Sequence, residues 1–154
     1  MPEPTKKPWE TGSQSAFNFA KRANFDKMLR NIIEIQSEEN LAHLNHIRLW
    51  FTRSTSFTEH ICQRMQALTR TLREPDEQTL QIIQDMIGYC RHLYRNSEIL
   101  ANDYEILRKH GLLVAELEAF RKAYRRLQEV VYHIESVYMS LHSQIGINDL
   151  LRRN

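Results

Sequence analysis

The residues best suited to chemistry in this sequence are histidines and glutamates at helical spacing. Glu39 and His43 are four residues apart, as are Glu129 and His133, so each pair shares one face of a helix. His46 follows His43 by three, and these two with Glu39 are the candidate ligands for zinc. Structural zinc takes four ligands, and di-iron bundle sites use Glu-x-x-His pairs, which these spacings do not match. We therefore interpret them as surface contacts and a polar layer, and predict no metal site.

Motifs for nucleotide binding and catalysis are absent. The four glycines, at 12, 88, 111 and 146, are too scattered for a phosphate-binding loop, and neither a serine nucleophile elbow nor a zinc-protease HExxH motif occurs. Cys62 and Cys90 have no CxxC partner and fall on apolar helical faces, which favours reduced packing residues over a disulfide. The sequence predicts no catalytic residue and no cofactor, and therefore a protein that is not an enzyme.

A basic cluster is the candidate site for an electrostatic contact with phosphate or an acidic partner. It lies away from the apolar seam of its helix and comprises Arg121, Lys122, Arg125 and Arg126. Glu118 precedes Lys122 by four residues, so the same charges are also typical of an ordinary solvated helix face. No aromatic residue interleaves the cluster to stack on a base, because Phe120 and Tyr124 belong to the seam.

The N-terminal region differs in composition from the rest of the chain. Residues 1–14 hold three of the four prolines and little apolar matter, which predicts a disordered tail. Trp9 within it is a candidate docking residue, either for a partner or for the bundle itself. The polar start and the lack of a run near about 20 apolar residues predict a soluble, intracellular, cytoplasmic protein with no membrane span. The net charge of +2 is too small to predict wholesale nucleic-acid binding.

The elements that position these residues are helices. No Gly or Pro occurs between Ser13 and Glu74, which favours helix over a design that needs frequent turns. The apolar spacing predicts a first helix from about residue 15–24 to 52 and a second over 57–73, separated by a break at 54–56 where hydroxyl side chains cluster. Pro75 predicts the first turn of a third helix, which should end before Gly111.

The fourth helix carries the strongest pattern in the chain. Ten apolar residues alternate steps of four and three, as a coiled-coil seam requires. They are Leu113, Leu117, Phe120, Tyr124, Leu127, Val131, Ile134, Tyr138, Leu141 and Ile145. The pattern leaves open whether the chain's own helices or a partner chain fills this seam, and Gly146 is predicted to end the helix.

Together these patterns predict an all-α fold, an elongated antiparallel helical bundle of three to four long helices with a coiled-coil seam. The bundle domain is expected over residues 15–145, between the tail of residues 1–14 and a short C-terminal coda of residues 146–154. We expect an adaptor or subunit of a larger complex, of cytoskeletal, centrosomal, tethering or secretion type. Its partners would be other protein subunits, in a homo- or hetero-oligomer. The alternative is an accessory protein that binds nucleic acid through residues 108–126.

Overall fold

A computed structural model describes residues 15–71 and 76–153, and every regular element in that part of the chain is a helix. The helices are α1 (Ser15–Glu34), α2 (Glu38–Thr71), α3 (Glu77–Asp103), α4 (Glu105–Lys109) and α5 (Val114–Arg153). The predicted all-α helical bundle is thereby confirmed. The predictions for residues 1–14, including Trp9, and for Pro75 lie outside the described residues.

The chain divides into two compact units, Met1–Asn45 and His46–Asn154. Among the described side chains of the first unit, the buried apolar ones are Leu29, Ile32 and Leu44. The second unit holds the larger core, which is built from the rest of α2 together with α3, α4 and α5.

The first helix break lies at residues 35–37 rather than at the predicted 54–56. Two polar side chains stabilise it. The hydroxyl of Ser37 accepts a hydrogen bond from the backbone N–H of Asn40 at 3.1 Å, and so caps the start of α2. The Asn40 amide donates to the backbone oxygens of Asn31 at 3.2 Å and Ile35 at 2.9 Å, which are carbonyls at the end of α1.

Helix α2 runs unbroken through residues 54–56, and its hydroxyl side chains explain why. Thr58 donates its hydroxyl proton to the backbone oxygen of Ser54 at 2.8 Å, and Thr52 does the same to Arg48 at 2.9 Å. These bonds run back to the residue four positions earlier, so they are made inside a helix and do not compete with it. Thr55 and Thr58 are also core residues. They lie on the buried face of α2 together with Phe51, Cys62 and Met65.

The turn between α4 and α5 reverses the chain. Gly111 has a φ of 75°, and its N–H donates to the oxygen of Arg108 at 3.0 Å while Leu112 donates to Leu107 at 2.8 Å. This pair of bonds is the Schellman arrangement that closes helix ends at a glycine. The backbone thus turns at the predicted glycine. Helices α3 and α5 pack against each other as an antiparallel pair, in which Arg91 is bonded to Glu135 and Arg121 to the backbone oxygen of Ala101.

Helix α5 has 40 residues and continues through Gly146 to Arg153, so the predicted helix end at Gly146 is wrong. Gly146 does not have a positive φ, and its backbone is helical. A glycine inside a helix costs about 1 kcal/mol relative to alanine, which is too little to stop a helix whose later residues favour it.

Candidate functional site

The predicted seam of α5 is filled within the chain over most of its length. Its first seven residues, from Leu113 to Ile134, are all buried, and Leu117, Phe120 and Leu127 have no exposed surface. Its last three, Tyr138, Leu141 and Ile145, are only partly buried. The seam is therefore completed in cis as far as Ile134, which answers the question that the pattern left open.

An aromatic cluster lies where α2, α3 and α5 meet. The ring of Phe51 packs edge to face on Phe120, with centroids 4.8 Å apart, and on Tyr104 at 5.1 Å. Phe120 in turn contacts Tyr124 at 4.7 Å, and Trp50 covers Phe51 at 5.1 Å. Edge-to-face aromatic pairs are favourable beyond the area they bury, so this cluster anchors the three helices.

The four basic side chains predicted as one cluster point in different directions. Arg121 donates from Nη2 to the Glu105 carboxylate at 2.8 Å and to the Ala101 backbone oxygen at 3.3 Å. Arg126 donates to the side-chain oxygen of Gln66 on α2 at 3.3 Å. Lys122 and Arg125 are exposed between them. The structure thus directs two of the four cations onto the chain's own helices.

Glu105 accepts hydrogen bonds from both Arg121 and Arg108. Hydrogen bonds from Arg108, with the nearby charge of Arg121, hold the pKa of the Glu105 carboxyl below its usual value. The Nε–H of Arg121 is buried without a hydrogen-bond partner. Through its bond to Glu105, Arg121 belongs to a structural network that joins α4 to α5.

The candidate zinc ligands Glu39, His43 and His46 are all exposed, as are Glu129 and His133. In the part of the chain that the structure describes, no group of three or more His, Cys, Asp or Glu side chains is arranged to hold a metal ion.

Both cysteines are free and buried. The Cys90 thiol donates to the sulfur of Met65 at 3.1 Å, and burial raises the pKa of Cys90 to about 11. Burial also raises the pKa of Cys62. The predicted packing role is confirmed by this burial, and a thiol of raised pKa is a poor nucleophile at neutral pH.

A second apolar stripe runs along the side of α5 away from the seam. Its members alternate steps of four and three, like the seam, but all are exposed. They are Tyr132, Ser136, Met139, Ser143, Gly146 and Leu150, with Ile147 beside Gly146. Tyr132 and Met139 each keep 63% of their surface exposed, and Leu150 keeps 64%. We call these seven residues the second stripe.

The same part of α5 lacks charge. Residues 136–148 contain no Asp, Glu, Lys or Arg, although 26% of the chain is charged. A solvated helix face normally carries charged side chains, and this segment carries none on either side. Here Met139 lies on one side and the partly buried Leu141 on the other.

Sequence reasoning missed the second stripe because the seam on the opposite face has larger and more regular side chains. Two signals mark it in the sequence. One is the repeat of four and three from Tyr132 to Leu150, in which serines and a glycine fill half of the positions. The other is the gap in charge between Glu135 and Asp149.

None of the family models, curated proteins or solved structures compared with the chain matches it. Among the described helices, none is both long and apolar enough to cross a membrane.

Proposed function

We propose that this protein is a non-enzymatic helical subunit or adaptor of a larger complex and binds another protein through the second stripe of α5. The assembly would be of the cytoskeletal, centrosomal, tethering or secretion type, and the site of action cytoplasmic. The partner would present an apolar helical face with few charges, since the stripe offers neither ion pairs nor a deep pocket.

The observation that carries the proposal is the uncharged segment of residues 136–148, which exposes Ser136, Met139 and Ser143 on one face. Burying a large apolar side chain such as Met139 or Leu150 is worth about 1.5–3 kcal/mol. Side chains of this size on one face, bounded by small residues that admit a close neighbour, are typical of an interface between helices. The seam supports the same proposal in a different way, because it packs α5 against the chain's own helices as far as Ile134 and leaves the opposite face exposed.

Charge substitution on the stripe tests the proposal. Met139→Glu places a charge on the stripe, and Ile99→Glu places one on an equally exposed apolar residue of α3, where Ile99 is 60% exposed. We expect complexes that form in cell extract, measured by size-exclusion chromatography and quantitative mass spectrometry, to lose their partner with Met139→Glu and keep it with Ile99→Glu. Equal partner recovery from both variants and the native chain would contradict the proposal.

A second pair of substitutions tests the alternative function, in which the chain binds nucleic acid through residues 108–126. Lys122 and Arg125 are exposed, and so is Arg126, which donates to Gln66. If nucleic acid is the partner, Lys122→Glu with Arg125→Glu should abolish binding of DNA or RNA, and the affinity of the native chain should fall steeply as salt is added. A protein-binding subunit is expected to show only weak, non-specific binding in that titration.

A further inference from the structure

Both cysteines of the chain lie in the core beside one methionine. Cys62 and Met65 are three residues apart on α2 and so share one face of that helix, whereas Cys90 lies on α3. The Sγ atom of Cys90 is 3.1 Å from the Sδ atom of Met65. Burial raises the pKa of Cys90, and the neighbouring Cys62 raises it further, so the two thiols lie close enough to interact. Three sulfur atoms from two helices therefore converge in one place.

These three sulfurs form a soft ligand set. Thiolate and thioether ligands select Cu(I), whereas carboxylate and carbonyl oxygens suit Mg²⁺ and Ca²⁺. In the part of the chain that the structure describes, no third His, Cys, Asp or Glu joins the two cysteines. The cluster therefore lacks the four ligands of a structural zinc site, and a soft monovalent ion fits it better.

We propose that Cys62, Met65 and Cys90 form a binding site for a single Cu(I) ion, held by two thiolates and one thioether. Binding forms three Cu–S bonds and releases the two thiol protons to solvent, with no change in the oxidation state of copper or sulfur. The inference goes beyond the proposed function and does not depend on it, because the three side chains are buried and lie apart from the second stripe.

The surroundings of the cluster suit such an ion. Met65 keeps 2% of its surface exposed, Cys90 keeps 1% and Cys62 none, so water is excluded. Two thiolates and Cu(I) carry one net negative charge, which a buried site must balance. Arg126 supplies a positive charge nearby: burial raises the pKa of Cys62, and Arg126 opposes that rise. Its guanidinium is held in place by a bond to Gln66, the residue after Met65.

The cluster has a route to solvent on one side. Cys90 lines a groove between α3 and α5, together with Tyr94 and Val131. Since the thiol itself is buried, an ion reaches it only when the helices part locally. We therefore expect Cu(I) to bind slowly, no faster than a thiol reagent labels the metal-free chain.

Titration of the whole reduced chain with Cu(I) tests the site. The ion is supplied without oxygen as its bicinchoninate complex, whose colour reports how much copper the chelator keeps. The native chain should take one equivalent and develop the ultraviolet absorption of Cu(I)–thiolate charge transfer. Bound Cu(I) should also raise the midpoint of thermal unfolding, because the three sulfurs come together only in the folded chain.

Substitution of each ligand assigns the site. Met65→Leu keeps the volume of the side chain and removes the thioether, so it should weaken Cu(I) binding by more than about tenfold in a folded protein. Met139→Leu makes the same change at an exposed methionine and should leave the affinity unchanged. Cys62→Ala and Cys90→Ala should each abolish uptake of the equivalent, with circular dichroism as the check on folding.

Two results would overturn the site. A native chain that takes no Cu(I) from the chelator would leave the three sulfurs as core packing alone. Uptake with native affinity by Met65→Leu, or by either alanine variant, would place the ion elsewhere in the chain.

Discussion

Arg121 of α5 donates a hydrogen bond to the Glu105 carboxylate of α4 across 2.8 Å, and this bond ties the two helices that flank the chain reversal at Gly111. The same arginine belongs to the basic cluster that the sequence offers for an external contact. Because Arg121 is bonded to Glu105 within the chain, we assign it to the fold and not to a binding surface.

We predict that Arg121→Gln lowers the free energy of unfolding by about 1 kcal/mol, whereas Arg125→Gln changes it little, because a partly buried ion pair contributes more than an exposed charge. Urea unfolding monitored by circular dichroism measures both. Equal effects of the two substitutions would mean that the bond to Glu105 adds no stability.

The lowered pKa of Glu105 predicts a pH dependence of the same contribution. The folded protein favours the carboxylate form of Glu105. The stability that Glu105 contributes is therefore present above the ordinary pKa of a carboxyl, and it is lost as pH falls through the lowered pKa of Glu105. Glu105→Gln should therefore destabilise the protein at neutral pH and have a smaller effect at acidic pH. A difference between the two proteins that does not depend on pH would contradict this assignment.

A buried hydroxyl in α2 gives a prediction of opposite sign. The Oγ1 atom of Thr55 is buried and has no hydrogen-bond partner, whereas Thr58 donates to Ser54. Thr55→Val keeps the shape and removes an unsatisfied polar atom, so it should raise the free energy of unfolding by about 1 kcal/mol. Thr58→Val loses a satisfied bond and should not stabilise. Thermal unfolding of the two variants, measured side by side, tests this prediction. Destabilisation by Thr55→Val would show that the Thr55 hydroxyl is solvated or bonded.

The filled seam predicts that Leu127 serves stability rather than partner binding. Leu127→Ala should cost about 2–5 kcal/mol of unfolding free energy, because the side chain has no exposed surface. Leu127→Glu should unfold the protein, since a charge would be buried without a partner. Circular dichroism and chemical denaturation measure these effects. A soluble, helical Leu127→Glu protein that has lost only its partner would show that the seam is filled in trans.

The burial of both thiols predicts that they react slowly with thiol reagents. Burial raises the pKa of Cys90 to about 11, so little thiolate forms at neutral pH and the thiol is shielded from reagents. Both cysteines should react with a thiol reagent at the rate at which the protein opens, and at once in denaturant. The free energy of unfolding should also fall as pH rises from the ordinary thiol pKa towards 11, because the unfolded chain ionises first. Rapid labelling of the native protein would contradict the burial.

The sequence predicts the helical class and the seam well because both depend on spacing alone. The alternation of four and three from Leu113 onward fixes which face of α5 is buried, and the turn at Gly111 follows from a residue that tolerates positive φ. The break at residues 35–37 was missed because it depends on Asn40, whose side chain reaches back to the end of α1. Such bonds cannot be read from polarity.

The buried face of α2 cannot be read from polarity either. Thr55 and Thr58 look polar in sequence, yet they occupy the core face between Phe51 and Cys62, while Phe57 is 51% exposed. Thr58 satisfies its hydroxyl on Ser54 in the preceding turn, and so packs as an apolar residue does. The second stripe escaped notice because the seam on the opposite face has the larger and more regular side chains.

Site-specific photo-crosslinking tests the central claim most directly. A photoreactive amino acid at position 139 samples the second stripe, and the same residue at position 99 samples an equally exposed position of α3. In extract of the source cells, we predict discrete protein adducts from position 139 and none from position 99. No protein adduct from position 139, or the same adducts from both positions, would contradict the account.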